Sequence, residues 1–534
     1  MLAPSNMDHP KKKLLIFHLD FSMVVLREDY LRQFLERLAG MGYNTLLWDL
    51  ANKVKWETCP ECCPPEAYPK ETINHLLDFS RKLGFESIPI LQSISASDGI
   101  LNHPRFTSFR EIKNRRDLYC TSRPEVRTFL KSWIKEYLEL FGSIRFFHLG
   151  GNNVQGFGSC PICSKTGKSN DRLYWSFLND LAEPLLAKDI RPGIWGDFIL
   201  SYPESLKNVP STWVIWDWNF WDKEDYPEEV LIWGQEVIGK NKVNNKTKKK
   251  FSGIKNRKGR RPAFYTSDVL RRKGFDVIIC SSARFLEDSP FCGQFGLRAR
   301  NIWAAAKKSL NNKFIGHCVF SATTGIFNYF VQEPWLQIAP LTWQNEANLS
   351  FENLLKKNAE KNYHLNNVEL FNAFSLIGKP FFLNQMTRKN LNKKQPSLSS
   401  SENSLLEGNL NKRNYKKNLQ TIQKISTQLE KGQALLKLCG LWINRRMEVI
   451  DHWLRAAQHQ RWRAEMVEAV IQRTNRRAPQ DQQKIVLNFR KAREDYSQWA
   501  AVWMTPSSVV FHTKLIFDPL FDLLENKPNQ HNLT

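Results

Sequence analysis

The residues best placed to do chemistry cluster in Phe146-Phe147-His148-Leu149-Gly150-Gly151-Asn152-Asn153-Val154. Two phenylalanines run into a histidine, then two glycines, then two amides, which reads as a buried strand ending in a loop. Glycine at the mouth of a strand lets backbone approach a ligand closely, because no Cβ intervenes. The amides of Asn152 and Asn153 can hydrogen-bond, but a carboxamide neither ionises nor gives up a proton near neutral pH. Two further strand ends carry tryptophan and aspartate: Trp195-Gly196-Asp197 and Trp216-Asp217-Trp218. Alternation puts Trp216 and Trp218 on one face, as a pocket wall requires, and Asp217 on the other, where a structural role is expected. Cys59-Pro-Glu-Cys62 and Cys160-Pro-Ile-Cys163 are two Cys-x-x-Cys units. Together they could supply four zinc ligands, but 97 residues separate them, so buried free thiols stay open as the alternative.

Short apolar runs alternate with helical patterns and must position these groups. Strands are expected at 14–19, 43–48, 87–91, 145–149, 192–195, 212–216, 276–280 and 314–320. Helices are expected at 28–41, 70–83, 123–141, 171–188 and 294–310. Continuously apolar strands separated by helices imply a parallel sheet covered on its faces. Eight of them imply an α/β fold, a (β/α)8 TIM barrel, whose functional groups gather at the C-terminal ends of its strands.

The chain has 534 residues and a net charge of +24. Residues 240–261 hold eleven Lys/Arg and no acid, and residues 378–424 hold ten against two Glu. Most of the excess therefore sits in two segments, so the chain as a whole is not built as a polyanion binder. The expected division is a barrel over 1–345 with a basic insertion at 240–261, a Lys/Asn/Ser-rich linker over 346–428, and a helical region over 429–534. The last region reads as a helical hairpin extension that packs on the barrel or forms a homodimer. The insertion is a solvated loop, a nuclear-targeting signal, or a site for nucleic acid or another polyanion. The lysine triplet Lys11–Lys13 precedes an apolar run too short for a signal peptide, and no window approaches a membrane span. An intracellular, cytoplasmic chain without membrane partners is the expectation.

The segment around His148 resembles the His-x-Gly-Gly-Asp-Glu signature of family 20 glycoside hydrolases, the β-N-acetylhexosaminidases, and in particular their hexosaminidase D-like branch. Collinear segments extend the likeness from Leu14 to Trp343: Glu66–Glu71, Leu91–Ser93, Cys120–Pro124, Trp195–Asp197, Trp216–Asn219 and Glu333–Trp335. The resemblance implies substrate-assisted hydrolysis of terminal β-linked N-acetylhexosamine (GlcNAc or GalNAc) on glycans, without a cofactor. In the family an Asp orients the acetamido group and a Glu is the general acid/base; here those positions are Asn152 and Asn153. The resemblance assigns substrate contact to His148, Trp195, Asp197, Trp216 and Trp218. Other strand ends depart as well: Ser95-Ala96-Ser97-Asp98 replaces Gly-His and a Glu, Ala51-Asn52 an acidic pair, and Ala322 and Thr324 a Trp and an Arg. Hydrolysis is therefore expected to be lost or strongly impaired. Three readings remain: a glycan-binding pseudoenzyme, an active exo-β-N-acetylhexosaminidase using Asp98, Asp197 or Asp217, and a non-catalytic interaction protein working through its basic insertions.

Overall fold

The computed structural model describes residues 13–152, 155–223, 262–285, 288–310, 313–321, 328–345, 349–378, 415–474 and 482–525. Asn153, the basic insertion at 240–261, Ala322, Thr324 and residues 379–414 of the expected linker lie outside them.

Eight parallel strands form the centre: β1 Leu14–Asp20, β2 Thr45–Asp49, β3 Glu86–Pro89, β4 Phe146–His148, β5 Arg191–Trp195, β6 Val214–Trp218, β7 Asp276–Arg284 and β8 Gly316–Ser321. They hydrogen-bond in the order β3-β2-β1-β8-β7-β6-β5-β4. A parallel bridge between Ile90 and His148 brings the two ends together, with the Leu91 N–H donating to the His148 carbonyl at 2.9 Å. The result is the expected barrel. All seven residues of β1, Leu-Leu-Ile-Phe-His-Leu-Asp, are buried, because one face meets the barrel interior and the other meets helices.

Helices α1 Glu28–Met41, α2 Lys70–Lys82, α3 Pro124–Phe141, α4 Asn170–Leu186, α5 Tyr265–Arg272 and α6 Phe295–Ser309 cover the strands. In α2 the buried Ile73, Leu76, Leu77 and Ser80 recur at helical spacing, while Glu71 and the pair Arg81/Lys82 match the sign of the helix dipole at either end. Proline opens α3 and Gly142 closes it. Outward strand residues pack on this layer: Phe17 meets Phe34, Tyr43 and Tyr329 edge-on.

After β8 come α7 Tyr329–Leu336, α8 Ile338–Gln344, α9 Phe351–Tyr363 and α10 Glu369–Ile377. Residues assigned from the sequence to a linker thus include two helices, because Phe351, Leu354, Ala359 and Tyr363 bury one stripe and Ser350 caps it. The extension holds four helices, where a hairpin was expected: α11 Tyr415–Gly440, α12 Met447–Thr474, α13 Gln482–Ala500 and α14 Pro506–Glu525. It packs on its own barrel. Trp453 sits between Trp335 and Phe374, with centroids 6.1 and 4.3 Å away. Arg37 pairs with Glu333 at 2.7 Å and Glu448 at 2.5 Å, and Arg446 also pairs with Glu333. On the strand-end rim, the loop after β1 is bonded to the extension: Arg27 N–H to the Trp503 carbonyl, Val25 N–H to Ser508 Oγ, and His512 Nε2 against the Met23 carbonyl. Among the described residues no helix is long and apolar enough to cross a membrane.

Candidate functional site

Parallel partners in a barrel point the same way, so register identifies the inward residues. The pairings His18↔Leu47, Asp20↔Asp49, Gly193↔Val214, Trp195↔Trp216 and Trp218↔Cys280 define one inward set. Its members at the strand ends are His18 and Asp20 (β1), Asp49 (β2), His148 (β4), Trp195 (β5), Trp216 and Trp218 (β6) and Phe320 (β8). All of them except the half-buried Phe320 are buried. The sequence reading selected four of these: His148, Trp195, Trp216 and Trp218.

The aromatic members touch in sequence around the mouth. The His148 ring lies 4.2 Å from Trp195 and 5.0 Å from Trp216, centroid to centroid. Phe320 lies 5.4 Å from Trp195, stacks on His18 at 4.4 Å, and stacks on Phe220 at 5.3 Å. Phe220 in turn stacks on Trp218 at 4.9 Å. A wall of indole and phenyl faces thus encloses two imidazoles. Glycine makes room for it: a Cβ on Gly193 would lie 2.6 Å from Trp216 Nε1.

The loop after β4 is equally specific. Gly150 has φ +69° and Gly151 φ +84°. A Cβ on Gly150 would stand 2.8 Å from Gln92 Oε1, and one on Gly151 2.6 Å from the Tyr174 hydroxyl. Neither position tolerates a side chain. The Gly150 N–H donates to His148 Nδ1 at 2.9 Å, and Tyr174 Oη donates to the Gly151 carbonyl at 2.9 Å. Asn152 follows half-buried, with its Oδ1 buried and without a hydrogen bond among the described residues. The same holds for His148 Nε2, Trp195 Nε1 and Gln92 Oε1. Buried polar atoms normally find partners, and here several unpartnered ones lie beside an aromatic wall.

Acidic groups complete the opposite side and were not selected from the sequence. Asp20 and Asp49 are register partners; Gln92 Nε2 donates to Asp49 Oδ2 at 2.9 Å, and His18 Nε2 lies 3.7 Å from the same oxygen. Burial, reinforced by the Asp49 charge, pushes Asp20 up to about 6. Burial holds His148 well below its ordinary value, with His18 adding to the effect. The signal for the missed residues was present: Leu14, Ile16, His18 and Asp20 share one face of β1 and turn polar only at its mouth.

The other carboxylates considered from the sequence take different places. Asp217 points outward, as alternation implies, and accepts from Thr266 Oγ1 at 2.7 Å and Ser267 Oγ at 2.5 Å. Burial pushes it up to about 6. Asp197 starts a short helix, Asp197–Ser201, and is buried. Half-buried Asp98 starts another after β3 and is pushed up to about 7 by loss of hydration and the nearby Asp117. Asn52 donates to the carbonyls of Cys62 (2.6 Å) and Gly99 (3.2 Å), a structural use.

The cysteine units do not combine as a four-thiol set. Cys160 and Cys163 join Cys120 and Glu111 in one buried group whose ligand atoms lie within 4.8 Å of one another, and Cys59 and Cys62 are not part of it. Loops after β3 and β4 are neighbours on the rim, whereas that of β2 is one strand further away.

Residues 92–243 match the sequence model described as glycosyl hydrolase family 20, catalytic domain. Human Hexosaminidase D is 23% identical over 218 residues, 38% of this chain and 44% of that protein. Bovine Hexosaminidase D is 22% identical over 215 residues, 38% of this chain and 62% of that protein. The chain thus carries a stretch similar to the family 20 catalytic domain and, over 38% of its length, to Hexosaminidase D. It spans about half the length of the curated relatives it matches. A β-N-acetylhexosaminidase from Bacteroides fragilis NCTC 9343 superimposes with a TM-score of 0.44 at 16% identity, over 61% of this chain and 65% of that one. The family match contains β4, β5 and β6 and hence the histidine, both amides and all three inward tryptophans.

Proposed function

We propose that this chain is a family 20 member that binds terminal β-linked N-acetylhexosamine of glycans at the strand ends of its barrel, with hydrolysis lost or strongly impaired. The observation that carries the reading is the pairing of an indole wall, Trp195 and Trp216 beside His148, with an amide at position 152. Indole faces suit the apolar face of a pyranose, and unpartnered nitrogen and oxygen atoms beside them suit its hydroxyl and acetamido groups. Asn152 keeps the hydrogen bonding that would orient an acetamide. It lacks the negative charge that would stabilise the cation formed when the acetamide oxygen attacks the anomeric carbon. Asn153 stands where the family's proton donor stands in sequence, and an amide cannot fill that role; general acid–base help is worth about 10²–10⁴-fold. A chromogenic β-N-acetylglucosaminide tests the reading: release at the buffer rate agrees with it, and release that persists through purification overturns it.

The second reading is a working exo-β-N-acetylhexosaminidase that uses another carboxylate. One observation favours it. Asp20 faces the barrel interior and, pushed up to about 6, holds a proton at mildly acidic pH as a general acid must. Asp217, turned away and held by Thr266 and Ser267, offers no such support. Loss of any measured turnover in Asp20→Asn, with folding intact, would select this alternative.

A further inference from the structure

We propose that Cys120, Cys160, Cys163 and Glu111 hold one zinc ion that clamps the loop after β3 to the loop after β4. This site is separate from the sugar site and stands or falls independently of it.

The spacing of the ligand atoms fits a tetrahedral shell. A zinc ion with Zn–S of about 2.3 Å and Zn–O of about 2.0 Å places its sulfurs roughly 3.8 Å apart and sulfur roughly 3.5 Å from oxygen. Cys120 Sγ lies 3.5 Å from Cys160 Sγ and 3.8 Å from Cys163 Sγ, and Cys163 Sγ lies 3.3 Å from Glu111 Oε2. All four residues are buried.

The surroundings also fit a cation. A buried carboxylate is costly without a counter-charge, and among the described residues Glu111 forms no ion pair with Lys, Arg or His. Its surroundings are thiols, which repel it once ionised and of which Cys163 gives it only a weak S–H hydrogen bond while protonated. A divalent ion reverses both terms. The remaining contacts orient the ligands. Glu111 Oε1 accepts the Cys160 N–H at 2.8 Å, which leaves Oε2 facing the sulfurs, and Cys160 Sγ accepts the Cys163 N–H at 3.4 Å. The short helix Pro161–Lys165 starts at Cys160 and sets the spacing of the second pair.

Ligand chemistry selects the metal. Three thiolates reject magnesium and calcium, and a fourth oxygen ligand completes four-coordination without an open position. The role is structural. Binding displaces the thiol protons to solvent, so retention weakens as pH falls. The consequence reaches the sugar site, because eight residues after Asn152 the chain is pinned at Cys160. The clamp thus holds the chain on the far side of the amide, while β4 holds it on the near side.

Metal analysis of the full chain, expressed with zinc and dialysed against metal-free buffer, tests the clamp. The expected content is about one zinc per chain, near zero in the double variant Cys120→Ser/Cys163→Ser, and unchanged in Cys59→Ser. Because the double variant can fail to fold, X-ray absorption of the wild-type protein gives an independent reading. Three sulfurs at about 2.3 Å and one oxygen at about 2.0 Å are expected. A wild-type chain that neither retains zinc nor takes it up when reduced overturns the proposal. So does zinc retained in the double variant, an all-sulfur shell, or a disulfide between Cys120 and Cys160 in the isolated protein.

Discussion

The His148 imidazole accepts the Gly150 N–H at Nδ1 and lies 4.2 Å from the Trp195 indole, so a turn residue fixes its tautomer. An accepting Nδ1 requires the proton on Nε2, which is buried and unpartnered among the described residues. His148 therefore presents a neutral N–H donor beside the tryptophan wall. Burial keeps it neutral, so its ring nitrogens should not titrate between about pH 5 and 8 in ¹⁵N spectra. A midpoint near 6.5 would contradict this arrangement.

Asp217 should make stability fall with rising pH. Its folded value is raised from 3.8 to about 6, so the fold holds the proton more tightly than the unfolded chain does. The associated stability is fully present below about pH 4 and is lost as pH rises through about 6, by up to about 3 kcal/mol. In urea unfolding, Asp217→Asn should cost more at pH 4.5 than at pH 7.5. An equal cost at both pH values would refute the linkage. Asp20 contributes a slope of the same sign to both proteins and cancels in the comparison.

The helical extension and the barrel should unfold together. Trp453 is completely buried against Trp335 and Phe374. Trp453→Ala should destabilise by about 3–5 kcal/mol, the usual cost of emptying such a site. Calorimetry should show one transition shifted downward. A barrel transition left in place while a second one moves would mean that the two regions share no cooperative core.

Restoring the pair of carboxylates should not restore an enzyme. Asn152→Asp with Asn153→Glu returns the two groups named by the family signature. Asn52 remains tied to the Cys62 and Gly99 backbone, and Ala96 holds a left-handed conformation (φ +58°) in the loop that departs from the family's Gly-His stretch. Turnover of a chromogenic β-N-acetylglucosaminide should stay at least about 10²-fold below that of an ordinary family member. Full turnover would show that the amides alone separate this chain from activity.

The barrel was legible because most strands are short, largely apolar runs between helical patterns, and every expected strand overlaps an observed one. The direction of Asp217, away from Trp216 and Trp218, followed from alternation alone. His18, Asp20 and Asp49 were legible only in part: the turn from apolar to polar at the strand mouth is in the sequence, but only the register Asp20↔Asp49 shows that they face each other. The cysteine cluster was half legible. Cys160 and Cys163 announce themselves by spacing, but Glu111 and Cys120 reach them through a neighbouring loop, and sequence separation carries no information about which loops meet. Helix α9 was hidden in a Lys/Asn-rich composition, and the short apolar α10 next to it was taken into the same linker.

Saturation-transfer NMR on a β-N-acetylglucosaminide incubated with the full chain tests the central claim most directly, because one sample reports contact and turnover together. Saturation should reach the acetamido methyl and the apolar ring face, excess N-acetylglucosamine should displace it, and the anomeric signal of free sugar should not grow. No transfer at tens of millimolar ligand, or free sugar accumulating at the pace of an active family member, would contradict the account.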